Sequence, residues 1–166
     1  MKYYIAALVE NKAGVLARIS GLFARRGFNI DSLAVGETND PAVSRVTIVV
    51  DGNDYASDQV TKQLSKLIDV RTVKLLDPDN MVQRDLVLVK VKIDQDRSDE
   101  LYDIVKSMGC EIVDTSDTSL IIEFDECTAE VDRLIGMLSE YEILEIVQTG
   151  AIALQKGEGT VYDEEE

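Results

Sequence analysis

Asn11 and Gly14, near the start of the chain, have the types and spacing of a site for a small anion or zwitterion. They lie within ENKAGVLARISGLFARRGFNI, residues 10–30, in a short polar loop just before an apolar-periodic helix. A helix N-terminus offers unpaired backbone N–H groups and a partial positive charge to a carboxylate. Gly14 lets a ligand approach the backbone closely, and the Asn11 amide both donates and accepts hydrogen bonds. This combination suits a free α-amino acid; alternatively, both residues only cap the helix and turn the chain.

Asn29 begins a predicted strand, a position that disfavours asparagine. The helix between it and the loop has about 12 residues and is therefore ~18 Å long, so we expect Asn29 at the opposite end of the sheet from Asn11. One chain then cannot bring both side chains to one ligand. Antiparallel pairing of the following edge strand with a second chain would bring Asn29 of one chain to the Asn11–Gly14 end of the other. The spacing predicts a pocket at a dimer interface.

The face of this helix opposite its apolar stripe is made of small residues. They are Ala17, Ser20, Gly21 and Ala24. A glycine inside a helix costs ~1 kcal/mol relative to alanine, so this face predicts close approach of a neighbouring helix and favours a dimer; alternatively, it is small by chance. Arg18 and Arg25 flank this face, and we predict that they are solvent-facing or rim charges rather than site residues.

The secondary-structure elements that must position these residues follow one pattern twice. The first repeat has strands at 3–9, 28–35, 43–50 and 70–76, with helices at 15–26 and from Ser57; the second has strands at 86–93, 110–116, 119–124 and 143–155, with helices from Ser98 and Thr128. Each repeat reads strand, helix, strand, strand, helix, strand. The fold class is therefore α+β, with two tandem ferredoxin-like domains whose sheets have the strand order 4-1-3-2 and both helices on one face.

The predicted domain boundaries follow from this repeat. The first domain covers residues 1–76, a polar linker covers 77–84, the second domain covers 85–156, and the acidic segment 157–166 is predicted to be disordered. Charge differs between the two parts: residues 1–76 carry 10 Lys and Arg against 8 Asp and Glu, and residues 77–166 carry 7 against 24. An acidic chain is a poor ligand for nucleic acid, which needs a basic patch. The acidic part is interpreted as a solvated surface or as a docking surface for a basic partner.

Composition also argues against catalysis and membrane insertion. The chain has no histidine, so the commonest general base and metal ligand is missing, and the sequence predicts no catalytic, metal or cofactor site. Cys110 and Cys127 lie in no metal-binding spacing and are predicted to be small core residues. No apolar run approaches the ~20 residues of a membrane span, and no signal or transit segment is recognised. We therefore expect a soluble cytoplasmic protein.

The stretch NKAGVLARISGLFARRGFNIDSLAVG, with VSRVTIVV and KQLSKLIDV downstream, resembles the N-terminal ACT domain of the small regulatory subunit of acetohydroxyacid synthase (acetolactate synthase). VQRDLVLVKV resembles the start of that family's second, ACT-like domain, so the likeness covers nearly the whole chain. The resemblance implies a noncatalytic homodimer, paired through the first domain, in branched-chain amino-acid biosynthesis. It would bind the thiamine-diphosphate-dependent catalytic subunit of acetolactate synthase, raise its activity and confer feedback inhibition by valine or another branched-chain amino acid.

The same resemblance implies a set of effector-binding residues. They are Asn11, Ala13, Gly14, Val15, Leu16, Asn29 and Ile30. The carboxylate is assigned to the helix N–H groups near Gly14 and Val15, and the ammonium group to the two asparagine amides. Val15, Leu16 and Ile30 either enclose the branched side chain or are ordinary core residues.

The second repeat does not share this chemistry. Its first loop, DQDRSDE, has no glycine and an excess of acid, which would repel a carboxylate. Effector binding is therefore predicted in the first domain only, and the second domain is interpreted as a scaffold or as a surface for the catalytic subunit. The alternative function is a free-standing ACT-domain amino-acid sensor acting on another enzyme, or an enzyme with its own carboxylate chemistry. No placed pair of acid and base supports catalysis.

Overall fold

The computed structural model describes residues 1–163, except for the side chains of Asp54 and Ala56. The chain forms two compact units. The first unit contains residues 1–82 together with the described residues from 151 onward, and the second contains Gln83–Gly150. None of the helices in this described part is long and apolar enough to cross a bilayer.

Each unit contains two helices and the four antiparallel strands of one predicted repeat, and a short fifth strand (Ile152–Gln155) also pairs with the first strand of the second repeat. The first unit contains β1 (Lys2–Glu10), α1 (Val15–Arg26), β2 (Ile30–Glu37), β3 (Val43–Asp51), α2 (Asp54–Leu64) and β4 (Val70–Leu76). The second is built from β5 (Met81–Lys92), α3 (Ser98–Met108), β6 (Glu111–Thr115), β7 (Ser119–Glu126), α4 (Thr128–Leu138) and β8 (Ile143–Gln148). The strand orders β2-β3-β1-β4 and β6-β7-β5-β8 confirm the predicted 4-1-3-2 order in both repeats.

Helix α1 forms where its periodicity predicts it. Its apolar stripe, Val15, Ile19, Leu22 and Phe23, is buried in a core that also contains inward residues of β1 and β3. Gly27 ends the helix in the left-handed region at φ 70°, a conformation that glycine adopts without steric cost. The corresponding core of the second unit lies between its sheet and helices α3 and α4.

Two local predictions were wrong. Helix α2 begins at Asp54, about one turn before the predicted cap Ser57, which is instead buried within the helix; Asn53 and Asp54 are themselves residues that favour helix starts. The predicted strand 143–155 is divided into β8 and a separate strand β9 (Ile152–Gln155). The break lies at Gly150, whose φ is 80°.

The residues after this break, 151–163, form a segment that we call the C-terminal strap. Ala151, Ala153 and Val161 of the strap are buried against apolar residues on the face of the first sheet opposite the helices. The residues that they cover include Tyr4, Ala6, Leu8, Val43, Val49 and Leu76. The strap therefore supplies a second hydrophobic core to the first unit.

Side chains of the first sheet hold the strap by its backbone carbonyl groups. Arg45 Nη2 donates to the carbonyl oxygen of Ala153 at 2.7 Å. On β4, the Thr72 hydroxyl donates to the carbonyl oxygen of Val161 at 2.9 Å, and Lys74 Nζ donates to that of Thr160 at 3.0 Å. Because β3 and β4 are separated by β1, these bonds hold the strap at two places across the sheet.

The strap changes the predicted domain boundaries. Residues 151–156 were assigned to the second domain and 157–166 to a disordered tail, whereas the structure places 151–163 in the first unit; residues 164–166 lie outside the described part. The predicted linker is also shorter, because β5 already begins at Met81. The physical reason is that the outer face of the first sheet is apolar and must be covered.

The strap should stabilise the first unit specifically. Val161→Asp places a carboxylate in this second core, and we expect it to lower the free energy of unfolding by about 2 kcal/mol or more. The matched control is Tyr162→Asp, because Tyr162 is 58% exposed, and its expected effect is small. Hydrogen exchange would locate the change: protection should fall in β1 and β3 and be retained in β5 and β7. Equal stability of the two variants would contradict a structural role for the strap.

Candidate functional site

The loop of residues 10–14 connects the end of β1 to α1, and Asn11 is fixed within it. Its backbone N–H donates to the carbonyl oxygen of Ala42 at 2.8 Å. Its side-chain nitrogen donates to Glu37 Oε1 at 3.0 Å and to the carbonyl oxygen of Pro41 at 2.9 Å. Both partners can only accept, so the orientation of the amide is forced. The amide therefore keeps its carbonyl oxygen, an acceptor that suits an ammonium group, for a further partner.

The start of α1 carries no compensating negative charge of its own. Gly14 is the N-cap residue at φ 87°, it provides no side-chain cap, and the first turn contains no acidic residue. The first N–H groups of a helix have no partner within it; that of Val15 makes only a long bond, 3.4 Å, to the carbonyl oxygen of Lys12, so this end of α1 is chemically suited to an anion. Of the predicted neighbours, Ala13 and Leu16 are exposed, whereas Val15 is 3% exposed and belongs to the core.

Asn29 and Ile30 lie at the other end of the sheet. Ile30 pairs with Val50 of β3, whereas the end of β1 pairs with Val43, and seven strand residues separate these positions by about 23 Å. The exposed Asn29 amide donates to Asp31 Oδ1 at 3.3 Å. Within one chain, Asn29 and Ile30 therefore lie far from the Asn11–Gly14 loop. This agrees with the separation predicted from the helix length.

An ion-pair network surrounds the loop. Arg71 Nε lies 2.6 Å from Glu10 Oε1 and Lys12 Nζ lies 3.6 Å from Glu10 Oε2, while Arg71 also lies 3.9 Å from Asp40. The hydrogen bond from Arg71 is the largest cause that lowers the pKa of Glu10 below its ordinary value; Lys12 contributes less. The Glu10 carboxylate thus stays ionised and occupies both cations.

Arg18, predicted from the sequence to be a solvent-facing or rim charge, lies beside the loop. Its guanidinium group forms an ion pair with Asp69, with 2.6 Å between Nη2 and Oδ2. A Cβ atom added to Gly14 would lie 3.4 Å from Arg18 Nη1. A sequence signal for this contact exists: helical side chains point toward the N-terminus, so a residue four positions after Gly14 covers it.

The corresponding loop of the second unit is built differently. It lines a groove of about 500 Å³ that also contains Tyr141. Arg97 lies over the Tyr141 ring, 4.6 Å from its centroid, and forms ion pairs with Glu100 at 3.1 Å and Glu140 at 3.3 Å. The guanidinium group of Arg97 in this groove is therefore already paired with two carboxylates.

The described residues contain no group of three or more His, Cys, Asp and Glu side chains placed to hold a metal ion. Both cysteines are free and partly buried. Burial raises the pKa of the Cys110 thiol to about 11, which keeps it protonated at neutral pH and makes it a poor nucleophile.

Comparison with known proteins identifies the family. Residues 5–72 match the model described as the AHAS small subunit-like ACT domain, and residues 84–157 match the model described as the small subunit of acetolactate synthase. The chain belongs to the acetolactate synthase small-subunit family. This confirms the resemblance seen in the sequence and identifies the chain as similar to regulatory subunits.

Three relatives show how far the similarity to other small subunits extends. The probable acetolactate synthase small subunit of Archaeoglobus fulgidus is 44% identical over 95% of this chain and 98% of its own length. The acetolactate synthase small subunit of Mycolicibacterium smegmatis is 43% identical over 92% of this chain and 90% of its own. The crystal structure of the acetolactate synthase small subunit from Thermotoga maritima superposes with a TM-score of 0.86 at 37% identity, covering 96% of this chain and 99% of that one.

The Glu10–Arg71 ion pair predicts that the stability of this chain depends on pH. A carboxyl group with a lowered pKa in the folded state stabilises the protein at neutral pH, and the contribution is lost as the pH falls through that lowered value. Arg71→Met should raise the Glu10 pKa toward its ordinary range, as followed by NMR titration of the side-chain carboxyl carbon. Lys12→Met serves as the comparison and should raise it less. A larger effect of Lys12→Met would contradict the dominant role of Arg71.

Proposed function

We propose that this chain is a noncatalytic subunit that binds the catalytic subunit of acetolactate synthase, raises its activity and makes it sensitive to valine. The family assignment supports the partner. The observation that carries the effector proposal is the start of α1, which has no acidic residue and no side-chain cap, beside an Asn11 amide whose nitrogen is already bonded.

These two groups are complementary to the two charged groups of a free amino acid. The ligand carboxylate would accept hydrogen bonds from the N–H groups that begin α1, which the helix dipole favours. The ligand ammonium group would donate to Asn11 Oδ1, the part of the amide that still accepts. The exposed Leu16 side chain would contact the branched aliphatic group.

A second copy of the chain would complete the pocket with Asn29 and Ile30. Strand β2 is an edge strand of eight residues. In a two-fold antiparallel pairing of β2 over its full length, Ile30 of one chain lies opposite Glu37 of the other. Because Asn11 donates to Glu37 at 3.0 Å, this pairing would bring Asn29 of the first chain close to Asn11 of the second.

Such a pocket explains how an effector could change activity at a distance. Valine bound between two copies favours the arrangement of the dimer that binds it better. If the catalytic subunit contacts the two arrangements with different affinity, the two ligands are coupled, and each changes the affinity of the other. Feedback inhibition then requires no catalytic group on this chain.

Mixing two defective variants tests the shared pocket. We expect Asn11→Ala and Asn29→Ala each to abolish valine binding by the homodimer, measured by calorimetry. After the two variants are unfolded and refolded together, the mixed dimers should contain one native pocket, formed by Asn11 of one chain and Asn29 of the other. Valine binding should therefore return, with about half a site per chain in the mixed dimers. Lack of recovery in dimers shown to be mixed would rule out this pairing.

The regulatory role is tested with the catalytic subunit. Adding the chain should raise acetolactate formation, and valine should lower it again. Gly14→Asp should keep the stimulation and abolish the effect of valine, because its own carboxylate would occupy the start of α1. A thermal melt would check that this residue, at φ 87° in the native chain, still allows folding. Valine binding with no change in catalytic activity would instead support the free-standing sensor.

A further inference from the structure

We infer that Arg18, oriented by Asp69, is the residue that makes the effector site select ligands with a free carboxylate. This inference rests on the proposed function, because it concerns the same site. It assigns the guanidinium group of Arg18 to the carboxylate of the effector, for which the family resemblance implies only backbone N–H groups.

The position of the guanidinium group carries the inference. Arg18 Nη1 lies beside the Cα of Gly14, 3.4 Å from the place of a Cβ atom, and Gly14 is the residue that begins α1. The same group is held on its other side by Asp69, at 2.6 Å between Nη2 and Oδ2. A guanidinium group has five donors in a planar arrangement, so Arg18 can contact a second carboxylate while it keeps Asp69.

The other cations of the loop are less suited to this role. Arg71 contacts Glu10 at 2.6 Å and Asp40 at 3.9 Å, and Lys12 contacts the second oxygen of Glu10 at 3.6 Å. Glu10 lies between them and would repel an incoming carboxylate. Arg18 instead lies at the helix start itself, where the backbone N–H groups also point.

The ion pair with Asp69 pre-organises the Arg18 side chain for binding. Its side chain is 15% exposed, whereas that of Arg18 is 50% exposed, so the acid is the fixed partner and the guanidinium group faces solvent. An arginine that is already oriented loses less conformational freedom when it binds an anion. Asp69 is in turn held by the backbone, since its carbonyl oxygen accepts from the N–H group of Glu10 at 2.8 Å.

The test compares valine with valinamide, which keeps the ammonium group and side chain but has no carboxylate. Both affinities would be measured by calorimetry at neutral pH, on the full chain. The native chain should prefer valine. Arg18→Met should reduce that preference about tenfold or more, as expected for loss of hydrogen bonds to a charged group, with valinamide binding unchanged. Arg18→Lys should restore part of the preference, because it keeps the charge without the planar arrangement.

The matched control is Arg133→Met, which removes a helical arginine paired with Glu130 at 3.2 Å in the second unit and should leave the preference unaltered. The inference would be overturned if Arg18→Met kept the preference for valine, or if it weakened the binding of valine and valinamide equally. Valine binding by the native chain would then still support the proposed function. A native chain that binds no branched-chain amino acid, alone or with the catalytic subunit, would overturn the proposed function itself.

Discussion

The antiparallel pairing of β1 and β2 with β3 is the constraint on which the rest of the site depends. It places the end of β1 opposite Val43 and the start of β2 opposite Val50, so that two groups suited to an amino acid are about 23 Å apart. No side-chain rotation can cover that distance. A site that uses both ends of the sheet must therefore take them from two chains. In the proposed dimer, the backbone groups of the edge strand β2 would pair with those of a second copy.

The sequence predicted the parts of this arrangement that depend on local pattern. Helix α1 follows from its apolar stripe and from Gly27, and the sheet order follows from the repeated βαββαβ pattern. The position of Arg18 depends on its ion pair with Asp69, which is distant in the sequence. Helical spacing puts Arg18 near Gly14, but only the packing of the loop that carries Asp69 fixes the guanidinium group there. Residues that act through such long-range pairs resemble ordinary surface charges in a sequence.

The C-terminal strap was missed for a related reason. Residues 157–166 are rich in glycine and acid, a composition typical of a disordered tail. The buried side chains of the strap are few and mostly small, such as Ala151 and Ala153. Much of its attachment uses backbone carbonyl groups, which accept from Arg45 and Thr72 and which every residue possesses. Contacts made by backbone carbonyl groups do not depend on residue type, so they cannot be predicted from the sequence of the strap. The signal that was present lay elsewhere, in the uninterrupted apolar run of β1, residues 3–9, which indicates that both faces of this strand are covered.

The chain has a net charge of −15, which would be expected to repel the carboxylate of the proposed effector. The acidic excess lies in residues 77–166, whereas residues 1–76 have two more basic than acidic side chains. At physiological ionic strength, interactions between exposed charges are largely screened beyond about 8 Å, so the groups next to the loop decide the local potential. There, Glu10 is neutralised by Arg71 and Asp69 by Arg18. The partial positive charge of the helix start, with no acidic residue in its first turn, is then left uncompensated. An acidic protein can thus present a site for an anion where the carboxylates next to the helix start are paired with cations, while the Glu37 carboxylate, which accepts from Asn11, lies beside the position proposed for the ammonium group.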